Sequence, residues 1–163
     1  MSTENGAYVP EFGSDFDLQE EFKLAPMIPN GTYHANVTKV APDYEAGTIV
    51  FSFCLVDNGG VMSDGETPVD GSYQTHRIWL PKAGDEKEMT KDGRMTKRQA
   101  KINMLGKFAN DMGISQEQFK NLRTIEENIQ NNTWIGMAAN LTVGSREYEG
   151  KIFNEIKKIK AVG

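Results

Sequence analysis

Residues 133–162 read TWIGMAANLTVGSREYEGKIFNEIKKIKAV, and this stretch decides which folds the chain can adopt. Ile135, Met137, Ala139, Leu141 and Val143 alternate with Trp134, Gly136, Ala138, Asn140 and Thr142. That period of two places successive side chains on opposite faces of a strand. Gly144 to Gly150 reads as a hairpin loop and Lys151 to Val162 as the returning strand. Ile152, Phe153, Ile156 and Ile159 also fit a helical spacing, but the hairpin before them and their β-branched character favour a strand with a bulge.

Upstream, Asn30-Gly31 opens a strand over Thr32–Val40, in which Tyr33, Ala35 and Val37 alternate with polar residues. A turn over Pro42–Gly47 carries Tyr44 and leads to a second strand, Thr48–Asp57 (TIVFSFCLVD), apolar on both faces as suits a central strand. Asn58-Gly59-Gly60 is a turn signal, and a third strand spans about Gly71–Leu80. Lys82–Met95 is a polar loop without a buried pattern. Ala100, Met104, Leu105, Phe108 and Met112 predict a helix over Thr96–Met112, stopped by Gly113. Ser115 and Gln118 resemble a capping box for a short helix reaching Leu122, and the acidic stretch Glu126–Asn132 reads as a connection. Three strands, a helix and a closing hairpin is the element order of the OB-fold. That fold is a five-stranded antiparallel Greek-key barrel, here with its helix between strands 3 and 4. SH3-like barrels and other small α+β folds share much of this outline. The barrel domain is expected over residues 30–163, with a basic loop and helix at about 82–112. Residues 1–29, interrupted by Pro10, Pro26 and Pro29, form an irregular N-terminal arm.

The chain has 163 residues, 38% of them hydrophobic, and 18 basic against 23 acidic residues for a net charge of −5. That balance excludes a strongly basic, histone-like chain. No window approaches the roughly 20 apolar residues of a membrane span. The opening MSTENGAYVPEFG lacks the basic start and apolar stretch of a signal peptide, so a soluble, cytoplasmic protein is expected. Cys54 is alone, and with His34 and His76 it is too scattered for a zinc motif; no metal or other cofactor is expected.

Charge is unevenly distributed. The arm carries six acids against Lys23, and aromatics are set among those acids. Residues 81–123 hold ten basic residues against six acids. Binding single-stranded nucleic acid needs cations for phosphates and flat side chains for unstacked bases. On the third strand Tyr73, Thr75, Arg77 and Trp79 share one face and offer both. Trp134 lies on the polar face of its strand, while Arg146 and Tyr148 flank the last hairpin loop and Tyr44 occupies the loop between strands 1 and 2. These two loops border the ligand groove of an OB-fold. Lys87, Lys91 and Arg94, with Lys97, Arg98 and Lys101 at the helix start, could close over a strand. In the arm, Phe12, Asp15, Phe16, Asp17, Glu20, Glu21 and Phe22 imitate a polyanionic strand, suited to occupying that groove or docking a partner protein. Enzymatic readings are thin. Glu155 and Lys157 with Asp43 or Asp70 are the best candidates for a metal-dependent nuclease. No phosphate loop or nucleophile motif is present, and a non-enzyme is expected.

The chain resembles small phage and prophage proteins of recombination and replication modules. The resemblance rests on Pro29 to Tyr33, on KINMLGKFANDMG over Lys101–Gly113, on Trp134 to Gly136 and on the hairpin Tyr148 to Asn154. It implies an OB-fold protein that binds single-stranded DNA, or RNA as the alternative, without strong sequence preference, in the cytoplasm of an infected bacterial host. Phage or host replication and recombination proteins would be its partners, homo-oligomers would be compatible with it, and no membrane would be involved. Some such binders recruit partners through an acidic C-terminal tail. This chain ends IKKIKAVG and carries its acids in the arm, which moves that role to the arm or removes it. The rival reading is a non-catalytic phage interaction module working through the arm.

Overall fold

The computed structural model describes residues 17–21 and 25–162. Of the arm residues singled out above, Phe12, Asp15, Phe16 and Phe22 lie outside these; Asp17, Glu20 and Glu21 border or belong to a single helical turn, α1 (Leu18–Glu21). Five strands follow: β1 (Gly31–Asp43), β2 (Thr48–Leu55), β3 (Tyr73–Trp79), β4 (Ala138–Tyr148) and β5 (Lys151–Ala161). Helices α2 (Lys97–Met112) and α3 (Leu122–Gln130) lie between β3 and β4. The fold is mainly β: one antiparallel sheet in the order β3-β2-β1-β4-β5. Both edge strands, β3 and β5, lack a ladder to each other, so the sheet is open along that seam.

The core forms where alternation points inward. Ile49, Phe51, Phe53 and Leu55 of β2 are buried, as are Ala35 and Val37 of β1 and Ala139, Leu141 and Val143 of β4. β2 is one-sided rather than apolar on both faces: Val50, Ser52 and Cys54 are only half-buried. α2 starts at Thr96, whose hydroxyl accepts from the Gln99 amide, and ends at Gly113 in the left-handed region. Its Phe108, Ala109 and Met112 close the core from one side.

Further expectations are corrected, among them the loop of the last hairpin, which is Glu149 and Gly150 alone rather than Gly144 to Gly150. The second helix begins at Leu122, not Ser115. Asn121 and Thr124 form the reciprocal capping box, and Ile125 is the buried anchor. Residues 115–120 are turns, and much of the supposed acidic connection is helix. Alternation in the fourth strand does not extend back to Trp134. Gly136, with φ at +89°, breaks the extended chain, and the strand begins at Ala138. Finally, Lys82–Met95 is not featureless. It contains a short 3-10 turn at Asp85–Lys87 and a Met89–Thr96 bridge, and Asp85 is fully buried.

β5 is a strand with a bulge. Its register against β4 steps from Thr142–Lys158 to Val143–Ile156, leaving Lys157 extra. Ile156 and Ile159 therefore both face the core three residues apart, the spacing that imitates a helix.

Candidate functional site

The β4–β5 hairpin is closed by Glu149 and Gly150, both at positive φ (+50° and +77°). That pair of angles is the two-residue turn whose twist matches its strands. The outer half of the hairpin extends past the core, and its exposed residues are free to present side chains. Arg146 pairs in register with Phe153, and Tyr148, two residues from Arg146, shares that face. The Arg146 guanidinium sits 5.5 Å from the centre of the Tyr148 ring.

Opposite stands β3. Its burial alternates as expected, with Tyr73, Thr75, Arg77 and Trp79 outward and Ile78 inward. Between the two lies a groove of about 540 Å³, to which β3 contributes Thr75, Arg77 and Trp79, and the hairpin Arg146, Tyr148, Phe153 and Glu155. Trp79, Tyr148 and Phe153 are 47%, 56% and 47% exposed, although each is a large apolar ring. Exposed rings gathered round one concavity are the exception on a protein surface and make this groove the candidate site.

The groove's charges are partly engaged. Arg77 Nη1 donates to Asp43 Oδ2 and to Thr48 Oγ1, each at 2.9 Å. The Arg77 hydrogen bond, with the Ala46 amide, holds the Asp43 carboxyl below the ordinary carboxylate range. Glu155 accepts from Lys157 at 2.8 Å and is likewise lowered, mainly by that bond. On the groove floor, His76 stacks on Phe108 at 5.4 Å, and burial depresses its pKa against the weaker opposite pull of Glu155. Asn154 contributes differently. Its side-chain amide both accepts from Ile28 N and donates to Ile28 O at 2.9 Å, fixing the chain beside β5.

Not all of the expected residues converge here. Tyr73 is exposed on the same face, but six residues along β3 from Trp79, about 20 Å away. Tyr44 is exposed, yet its hydroxyl donates to Glu126 of α3, which raises its pKa, and it does not line the groove. Trp134 is in the core, 1% exposed, with its indole N–H donating to Gln118 Oε1 and its rings against Phe51 and Phe119. It presents no face to a base. Lys101 is held by buried Asp85 at 2.7 Å, and Lys97 and Arg94 pair with Glu88 and Asp92. Among the described residues Lys87, Lys91 and Arg98 form no ion pair, but none of this basic run lines the groove. Arg98 borders a separate cleft between α2 and α3.

Of the nuclease candidates, Asp43 faces Arg77, Glu155 faces Lys157, and Asp70 accepts from the Asn58 and Gly59 amides. Among the described residues no three His, Cys, Asp or Glu side chains gather to hold a cation. None of the helices there is long and apolar enough to cross a membrane. Besides His76, Asn154 and Ile156 in the groove lining, sequence reasoning missed Phe153. Its signal was available in the hairpin register, which sets it opposite Arg146.

Comparison with protein-family models gave no match, and no curated protein matched the chain.

Proposed function

We propose that this chain binds single-stranded DNA, without strong sequence preference, in the replication or recombination of a phage. The groove between β3 and the β4–β5 hairpin receives the strand. Trp79, Tyr148 and Phe153 stack on bases, while Arg77 and Arg146 meet phosphates. The observation that carries the reading is the convergence of three half-exposed rings and two guanidinium groups from three strands on one concavity. Stacking tolerates any base, because every base has a π-face. The accompanying fold reading is an OB barrel. Its support is the strand order β3-β2-β1-β4-β5, that of a five-stranded Greek-key barrel opened between β3 and β5.

The test is a titration of a fluorescent oligo-dT of about 30 nucleotides at low and high salt. Binding that weakens steeply with salt, because phosphate contacts release counterions, is the expected result. No binding at low salt, or binding indifferent to Trp79→Ala, overturns it. A parallel titration with oligo-U separates DNA from RNA.

A further inference from the structure

The groove does not stop at the hairpin. Its floor residues His76 and Ile156 also line a second cleft, of about 250 Å³, between β5 and α2. The two are halves of one trench along the open seam between β3 and β5. A closed ladder would have filled that seam with backbone hydrogen bonds. Here α2 covers its inner side with Phe108 and leaves the outer side unfilled.

The two halves differ in chemistry. The hairpin half has the exposed rings. The α2 half has no exposed aromatic face, but it carries Lys107, Lys157 and Lys158, with Met104 exposed between. Lys107 pairs with partly buried Asp111 at 2.6 Å and Lys157 with Glu155 at 2.8 Å, the lysine end of each pair being exposed. Such pairs hold their partners weakly, so a phosphate can replace either carboxylate. Lys158, exposed, has no ion pair among the described residues. The bulge at Lys157 is what sets two successive lysines on this side of β5, where regular alternation would send one of them to the opposite face.

We infer that the α2 half of the trench is a backbone-binding subsite for the same single strand, with Lys107, Lys157 and Lys158 following its phosphates. This rests on the proposed function of the hairpin half. From Phe153 to Ile159 the trench runs six residues, about 20 Å, so a strand anchored by stacking at the hairpin reaches the lysines only if it is several nucleotides long.

The experiment measures the affinity and salt dependence of labelled oligo-dT of about 4 and about 12 nucleotides. The proteins are wild type, the triple variant Lys107→Gln, Lys157→Gln, Lys158→Gln, and the corresponding triple Lys→Arg variant. Thermal melting by circular dichroism confirms that each is folded. The glutamine variant should leave the short oligonucleotide unaffected. For the long one, the slope of log affinity against log salt should shrink by about 2, at roughly 0.7 per lost phosphate contact. The arginine variant should keep the wild-type slope. If the long oligonucleotide binds wild type and glutamine variant with the same slope, while Trp79→Ala still weakens binding, the subsite is overturned and the hairpin site stands. Failure of wild type to bind either length overturns both.

Discussion

Lys101 Nζ lies 2.7 Å from Oδ2 of Asp85, a carboxylate with no solvent exposure. The same oxygen accepts the Lys82 amide at 2.8 Å, so a single atom ties the polar loop back to α2. Asp85 Oδ1 has no hydrogen-bond partner among the described residues, which leaves the carboxylate dependent on this lysine. Lys101→Met should therefore lower the urea midpoint more than Lys107→Met, whose lysine is largely exposed. The double variant Asp85→Asn, Lys101→Met should recover part of the loss. Equal midpoints for the two single lysine variants would count against the pairing.

Trp134 is predicted to matter for folding and not for ligand. Truncating a buried aromatic costs about 3–5 kcal/mol, and Trp134→Ala also removes the donor to Gln118. Denaturant unfolding should show a loss of that order. Trp134→Phe should be milder, and its folded protein should bind oligonucleotide as wild type does.

Trp79→Ala, Tyr148→Ala and Phe153→Ala should do the reverse. Each ring is about half exposed, so little stability is at stake. Each lost stack should weaken oligo-dT affinity by about 1–3 kcal/mol, roughly five- to 150-fold by anisotropy.

Arg77 is paired with Asp43, and under the proposed function a phosphate would have to displace that carboxylate. Asp43→Asn should tighten oligonucleotide binding and steepen its salt dependence, with Arg77→Ala cancelling the gain in a double-mutant cycle.

Acidification should act in two stages. Burial holds His76 below the ordinary imidazole value of 6.5, so the unfolded chain takes up this proton first. Its contribution to stability is complete above about pH 6.5 and is lost as pH falls through the lower folded value. His76→Gln should flatten the fall of unfolding free energy that begins as pH drops below about 6.5. Asp43, Asp85 and Glu155, all held low, lose theirs only as pH falls past the ordinary carboxylate range, near 4.

Elements with strict local signals were legible in the sequence. Alternation on β3 gives the face bearing Arg77 and Trp79, and Thr96 and Gly113 bound α2; a last hairpin is present as expected, but β4 runs on to Tyr148 and only Glu149 and Gly150 form its turn. What failed depended on backbone parity or distant partners. Gly136 adopts a left-handed conformation that takes Trp134 out of the alternation and into the core. The capping box at Asn121 competes with a similar pattern at Ser115, and the buried Ile125 decides between them. Asp85 looked like one acid among the loop's charges, since its lysine lies sixteen residues on, across a turn and a helix start. Phe153 needed the β4–β5 register before it could be set beside Arg146 and Tyr148.

The bulge in β5 makes the strand longer than its core requires. Remove Lys157 from the chain and Ile156 and Ile159 become next-but-one neighbours, the separation at which a regular strand sends both inward. The extra residue is thus dispensable to the hydrophobic interior, and its deletion is a way to subtract one surface charge while keeping the inward-facing pattern. Chain length at this point is a surface property, open to adjustment one residue at a time.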